Sequence, residues 1–138
     1  MHAEKPARME VTVGLLKESE KSRVYGIYLD QGGDFTNVGT HNTFVARNKD
    51  GFVVGAATIE DLKDRKPGFA NIRTLVVDSE FQNMSVGRKM LEIVLDELKK
   101  SGYKTVIAEM PDFKPDSKKF FISQGFREYD KELMIKEL

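Results

Sequence analysis

The chain contains no cysteine, which removes disulfides, thiolate metal sites and cysteine nucleophiles from consideration. It has only two histidines, His2 and His41. His41 lies in a polar stretch with no second histidine and no acid at ligand spacing, so no metal site is expected. No Ser-His-Asp arrangement can be read either. Neither sign of charge is in excess, with 22 Lys and Arg against 22 Asp and Glu. Nucleic-acid binding calls for a basic surplus, so no nucleic-acid partner is expected. No apolar run approaches the roughly 20 residues of a membrane helix, so no membrane partner is expected. The first nine residues are polar, contain Pro6 and lack the apolar stretch of a signal peptide. They read as a disordered leader ahead of one domain over residues 10–138, for which a reducing cytoplasm is the default location.

A length of 138 residues fits one domain, and 40% hydrophobic residues, with 9 Phe and 4 Tyr, suffice for a core. Val11 to Leu16 reads as a strand. Lys17 to Gln31 reads as a helix with Val24, Ile27, Tyr28 and Leu29 on one side, stopped by Gly32-Gly33. Thr43 to Arg47 and Phe52 to Ile59 are strands joined through Asn48-Lys49-Asp50-Gly51, in which Asp-Gly signals a hairpin. Asn71 to Val77 is a β-branched strand. Val86 to Lys100 is an amphipathic helix, with Val86, Met90, Leu91, Val94, Leu95 and Leu98 forming its stripe and Gly102 past its end. Lys104 to Met110 is a strand, Pro115 to Gln124 a short helix, and Phe126 to Tyr129 and Leu133 to Leu138 a closing strand pair. The order β-α-β-β-β-α-β-α-β-β predicts an α/β fold.

The junction from Asp78 to Arg88 carries the chemistry. A loop that wraps into a helix N-terminus presents unpaired N–H groups, and the aligned peptide dipoles add positive potential there. Together they suit a pyrophosphate. Gly87 permits close approach of a ligand, and Arg88 can add a charged contact. A plain strand-to-helix turn capped by Ser85 explains the same residues without a ligand. No Gly-Lys-Ser/Thr follows, so this is not a Walker loop. A single glycine also rules out the Gly-x-Gly-x-x-Gly dinucleotide fingerprint.

Gln82-Asn83-Met84-Ser85-Val86-Gly87 resembles the Gln/Arg-x-x-Gly-x-Gly/Ala pyrophosphate loop of the GCN5-related N-acetyltransferase (GNAT) superfamily. Its flanks, Thr74 to Asp78 and Gly87 to Leu91, match as well. Phe120-Phe121-Ile122-Ser123-Gln124-Gly125-Phe126 is similar to the family's Phe-Tyr-x-x-x-Gly-Phe. The resemblance spans residues 71–129 and is only architectural over 10–60. It implies a single-domain α/β fold with a mixed, mostly antiparallel sheet, a splayed central strand pair and helices on both faces. It further implies transfer of an acetyl group from acetyl-CoA to a primary amine of a small molecule or protein, directly within a ternary complex. A homodimer is the family's usual assembly, and nothing in the chain demands it.

Site residues follow from the same resemblance. Backbone N–H groups from Gln82 through Asn83, Met84, Ser85, Val86, Gly87 and Arg88 would hold the pyrophosphate. Leu75, Val76 and Val77 would pair with the pantetheine arm, and the Leu75 N–H would polarise the thioester carbonyl. Lys114, Ser117 and Phe121 complete the cofactor contacts. A solvated role for Lys114 is the plainer one. Ser85 departs from the usual glycine. Phe121 departs from the tyrosine that protonates the thiolate, leaving water or Tyr129 as stand-ins. Asn71 stands where some relatives carry the base, so the general-base candidates are Glu60, Asp61 and Glu109. Arg73 could anchor an acidic acceptor. The stretch Tyr25 to His41, with Tyr25, Tyr28, Asp30, Asp34 and Asn37, is expected to line the acceptor site. The missing proton-transfer groups at Asn71 and Phe121 keep a second class open, a non-catalytic acyl-CoA-binding regulatory module.

Overall fold

The structure is a computed structural model that describes residues 8–31, 36–82, 85–109 and 115–138. In chain order it contains β1 (Thr12–Leu15), a 3₁₀ turn (Glu18–Glu20), α1 (Lys21–Gln31), β2 (Thr43–Arg47), β3 (Val53–Asp61) and β4 (Phe69–Val77). A second 3₁₀ turn (Ser79–Phe81), α2 (Val86–Lys100), β5 (Thr105–Glu109), α3 (Pro115–Ser123), β6 (Arg127–Asp130) and β7 (Leu133–Glu137) follow. The strands form one sheet in the order β1-β2-β3-β4-β5-β7-β6. Pairs β1-β2, β2-β3, β5-β7 and β6-β7 are antiparallel. β4 and β5 are parallel, from Phe69 opposite Thr105 to Ile72 opposite Ala108. That register uses the first four of β4's nine residues, and β4 runs on to Val77. The mixed, mostly antiparallel α/β sheet is the one expected.

Local chemistry sets the turns. The β2-β3 hairpin is not the two-residue Asp-Gly turn, which needs positive φ at both central residues. Only Gly51 takes the left-handed conformation, at φ +80°. The Gly51 N–H donates to the Asn48 carbonyl at 3.0 Å and the Asn48 N–H to the Phe52 carbonyl at 2.9 Å, so the loop is Lys49-Asp50-Gly51. Asn48 Oδ1 accepts the Asp50 and Phe52 N–H groups at 3.0 and 2.9 Å, which locks it. α2 and α3 both end in a Schellman cap. At the end of α3, Gly125 (φ +92°) donates to the Ile122 carbonyl and Phe126 to that of Phe121, each at 3.0 Å. The Phe121 and Phe126 rings then meet edge to face at 5.1 Å, the apolar contact that accompanies this cap.

The chain divides into two compact units, residues 1–58 with 74–90, and residues 59–73 with 91–138. In the first, Leu16, Val24, Ile27, Tyr28, Val45, Val53 and Ala56 form one core cluster, with Val38 and Val76 packed against it. α1 therefore covers one face of β2 and β3. The start of α2 lies on the other face of β3. A Cβ on Gly55 would stand 2.7 Å from Met90 Sδ, 3.1 Å from the Val76 carbonyl and 3.6 Å from Val86 Cγ1. Only glycine lets α2 approach that closely. Leu29 departs from its expected place in the α1 stripe: it is 66% exposed, one residue past the buried arc of Val24, Ile27 and Tyr28. In the second unit, Leu91, Val94, Leu95 and Leu98 of α2 are buried as their spacing predicts, as are Val106, Ala108, Phe121, Phe126, Met134 and Ile135.

Candidate functional site

In the first unit, Thr74–Arg88 runs from the end of β4 into α2. Asp78 caps the 3₁₀ turn, its carboxylate accepting the Glu80 N–H at 2.9 Å. The Asp78 N–H donates to the Val54 carbonyl at 2.9 Å, tying the turn to β3. Burial acts to raise the Asp78 pKa, but the Glu80 N–H and the Arg23 guanidinium together outweigh it and hold the carboxyl below its ordinary value. Gln82 Nε2 donates to the Val77 carbonyl at 3.2 Å and to Gln31 Oε1 at 3.3 Å.

Ser85 carries the clearest signature. Its φ is +64°, and it is the one non-glycine residue with positive φ among the described residues. A left-handed serine costs roughly 1–2 kcal/mol over its right-handed form. The residue that replaces the motif glycine thus keeps a glycine's conformation. The Ser85 carbonyl accepts the Lys89 N–H at 3.1 Å, the first bond of the α2 ladder. The N–H groups of Val86, Gly87 and Arg88 precede that bond and have no partner within the helix. No acidic residue occupies the first turn of α2. Nothing there competes with an anion, while Arg88 and Lys89 are exposed beside it. Val86 is buried, so only its backbone can serve a ligand. These features fit a pyrophosphate.

Leu75, Val76 and Val77 are half-buried on β4. Behind them is a buried hydroxyl network. Tyr28 Oη lies 2.9 Å from Thr58 Oγ1 and 2.7 Å from Thr74 Oγ1, and Thr43 Oγ1 lies 3.1 Å from Thr58 Oγ1. Burial, only partly opposed by the two threonines, pushes the Tyr28 pKa up and keeps the phenol protonated. Tyr28 is fully buried, so it does not line an acceptor site as the sequence suggested. Tyr25 is half-buried, and Asp30 and Asn37 are exposed.

In the second unit the structure joins three residues that the sequence offered separately. Asn71 is 5% exposed. Its Nδ2 donates to Glu60 Oε1 at 3.2 Å, and its Oδ1 accepts the Glu109 N–H at 3.3 Å. A carboxylate on one side and an N–H on the other fix which way the amide points. Glu60 Oε2 also faces Arg73 Nη1 at 3.7 Å and Arg65 Nη2 at 3.9 Å. The Glu60 side chain is 33% exposed and Glu109 is exposed, so both reach solvent. Asp61 ends β3 with its Oδ1 accepting the Lys63 N–H at 3.0 Å. Burial, and then the hydrogen bond and charge of Asp61, raise the Tyr103 pKa.

Ser117 is half-buried on α3, and Phe121 is a 2% exposed core ring. Tyr129 is 66% exposed on β6, the last strand of the sheet. Asn83, Met84 and Lys114, all cofactor candidates, lie outside the described residues, as do Asp34 and the Gly32-Gly33 stop. Among the described residues, no group of three or more His, Asp or Glu could hold a metal ion. Among the described residues, no helix is long and apolar enough to cross a membrane.

Sequence reading missed Arg23, Gln31, Thr58 and Thr74. Their partners are 15 to 55 residues away. No local pattern marks such pairs.

The acetyltransferase (GNAT) family model matches residues 15–126. Solved structures share the architecture. A GNAT-family acetyltransferase from Staphylococcus aureus Mu50 is 17% identical, with 94% of this chain and 99% of that one covered at a TM-score of 0.75. The ribosomal-protein-S18-alanine N-acetyltransferase of Escherichia coli is 19% identical over 94% and 93%, at 0.73. N-acetylglutamate synthase from Neisseria gonorrhoeae, complexed with coenzyme A and N-acetyl-glutamate, is 13% identical over 94% of this chain and 35% of that one, at 0.77. No curated protein sequence matches significantly.

Proposed function

The chain belongs to the GNAT family of acetyltransferases, and we propose that it moves an acetyl group from acetyl-CoA directly to a primary amine within a ternary complex. The observation that carries this reading is the left-handed Ser85 at the mouth of α2. It supplies the loop conformation a glycine would, above a helix start with no acid in its first turn. The N–H groups of Val86, Gly87 and Arg88 hold the pyrophosphate, and the Leu75 N–H polarises the thioester carbonyl. The amine nitrogen attacks that carbonyl carbon, the new C–N bond forms and the C–S bond breaks.

The acceptor enters as an ammonium and must lose a proton. Glu60, held by Asn71 and open to solvent, is the base favoured by its contacts, and Glu109, whose N–H meets the same Asn71, is the alternative. Phe121 carries no proton for the departing thiolate, so water supplies it. A polar amine is the expected acceptor.

Isothermal titration with acetyl-CoA, followed by mass spectrometry of an amine panel, tests the reading. One-to-one binding with acetylation of at least one amine is expected. Binding without transfer to any amine would leave the acyl-CoA-binding module instead. Absence of binding would overturn both.

A further inference from the structure

Helix α1 touches the cofactor segment at three residues that stand four apart along the segment. Tyr28 meets Thr74, Arg23 meets Asp78, and Gln31 meets Gln82. These contacts bracket Leu75–Val77 on one side of Asp78 and the turn Ser79–Phe81 on the other. From Arg23 to Gln31 is eight residues of helix, about 12 Å, so one rigid element spans the segment.

Arg23 is the strongest of the three. Its Nη2 pairs with the Asp78 carboxylate, its Nε donates to the Val53 carbonyl at 3.0 Å, and its guanidinium lies 4.3 Å from the centre of the Phe52 ring. The guanidinium is thereby engaged through Nη2, through Nε and through one face. The side chain is 31% exposed, and that of Asp78 only 13%. Such a fork holds geometry better than a lysine could, because its donors are fixed in one plane. Asp78 is anchored in turn to Val54 and to Glu80.

We infer that Arg23 is a positioning residue for cofactor binding: through Asp78 it fixes the entry of the loop whose backbone holds the CoA pyrophosphate. The inference rests on the acetyl-CoA reading above. Arg23 acts through another residue and takes no part in the chemistry. A backbone site works only if its N–H groups converge before the ligand arrives. A loop freed at Asp78 must be ordered at the ligand's expense, which lowers affinity without touching the acetyl-transfer step.

The control is a second half-buried ion pair of the same unit. Arg47 grips Glu20 through two bonds of 2.7 Å, but it ties the 3₁₀ turn ahead of α1 to β2 and not to the loop. Arg23→Gln, Arg23→Lys, Asp78→Asn, the double variant and Arg47→Gln would be titrated with CoA, with folding checked by circular dichroism. Arg23→Gln should weaken CoA about tenfold or more, the scale of a lost charge-assisted hydrogen bond, and raise KM for acetyl-CoA with kcat retained. Arg23→Lys should recover part of the loss. Asp78→Asn keeps an oxygen for the Glu80 N–H and should weaken CoA similarly, with little added by combining it with Arg23→Gln. Arg47→Gln should lower the melting temperature and leave CoA affinity within about twofold.

Wild-type affinity for CoA in folded Arg23→Gln would overturn the inference. Equal weakening by Arg47→Gln would overturn it too, because the loss would then reflect general loosening. If Arg23→Gln does not fold, unchanged affinity in Asp78→Asn decides against it. Failure of the wild-type protein to bind CoA would instead remove the acetyl-CoA reading, and this inference with it.

Discussion

The segment Thr74–Arg88 and the cluster of Glu60, Asn71 and Glu109 stand in different units and meet chemical demands of different kinds. The first offers backbone N–H groups. At Ser85 the side chain departs from the motif glycine while the backbone keeps φ at +64°. The second offers carboxylates, and its side chains are chosen one by one. Asn71 can satisfy a carboxylate and an N–H together because it carries both a donor and an acceptor. A site made of backbone tolerates substitution of side chains and fails when a ligand's space is filled. A site made of side chains fails when one functional group changes.

Gly87→Glu should break the first region most completely. Gly87 is the second residue of α2, where a glutamate suits the helix dipole, so the fold should survive while its carboxylate occupies the anion's place. CoA binding should fall below detection in calorimetry. Normal affinity in the folded variant would remove the pyrophosphate assignment.

Glu60→Gln should do the reverse. Asn71 can still donate to the amide oxygen, so packing is kept while the base and its ion pairs with Arg65 and Arg73 are lost. The rate constant kcat should fall by about 10²-fold or more, with CoA affinity unchanged. A normal rate in Glu60→Gln, together with a loss in Glu109→Gln, would move the base to the neighbouring acid.

Acid should loosen the first unit by a smaller step. Arg47 holds the Glu20 carboxyl below its ordinary value against the opposing effect of burial, and Asp78 is lowered as well. A lowered folded pKa means that the unfolded chain binds protons more readily. The stabilisation is therefore complete above the ordinary carboxylate pKa of about 4 and is lost as pH falls through the folded values. Urea midpoints should hold from pH 7 to about 4.5 and drop below about 4. A flat profile to pH 3 would show that neither pair contributes.

Ser85→Gly is the subtlest change. Glycine removes the left-handed cost and gives back some of it through unfolded-chain entropy, leaving a gain of up to about 1 kcal/mol. CoA affinity should stay within about twofold. A destabilised variant would mean that the serine side chain, and not only the backbone, serves the loop.

The legible parts of this protein were those written over short spans. Val86–Lys100 follows from its apolar stripe and from Gly102, whose N–H closes on Lys99 three residues back. Thr43–Arg47 and the β2-β3 hairpin follow from Asp-Gly between two apolar runs, although the side chain of Asn48 locks the loop. The pyrophosphate loop was legible despite Ser85, because the chemistry it needs is backbone chemistry. The Glu60 candidate was legible only as one acid among several.

The amino-acid sequence alone determined the helices, strands and caps, and the family to which the loop belongs. Each of these depends on hydrogen bonds and periodicities that close within about five residues. Only the tertiary structure decided that Tyr28 is a buried strut rather than a binding residue, that Asn71 joins Glu60 to β5, and that Arg23 clamps Asp78 across 55 residues of chain. Such pairs are brought together by the packing of whole elements, which no local pattern records.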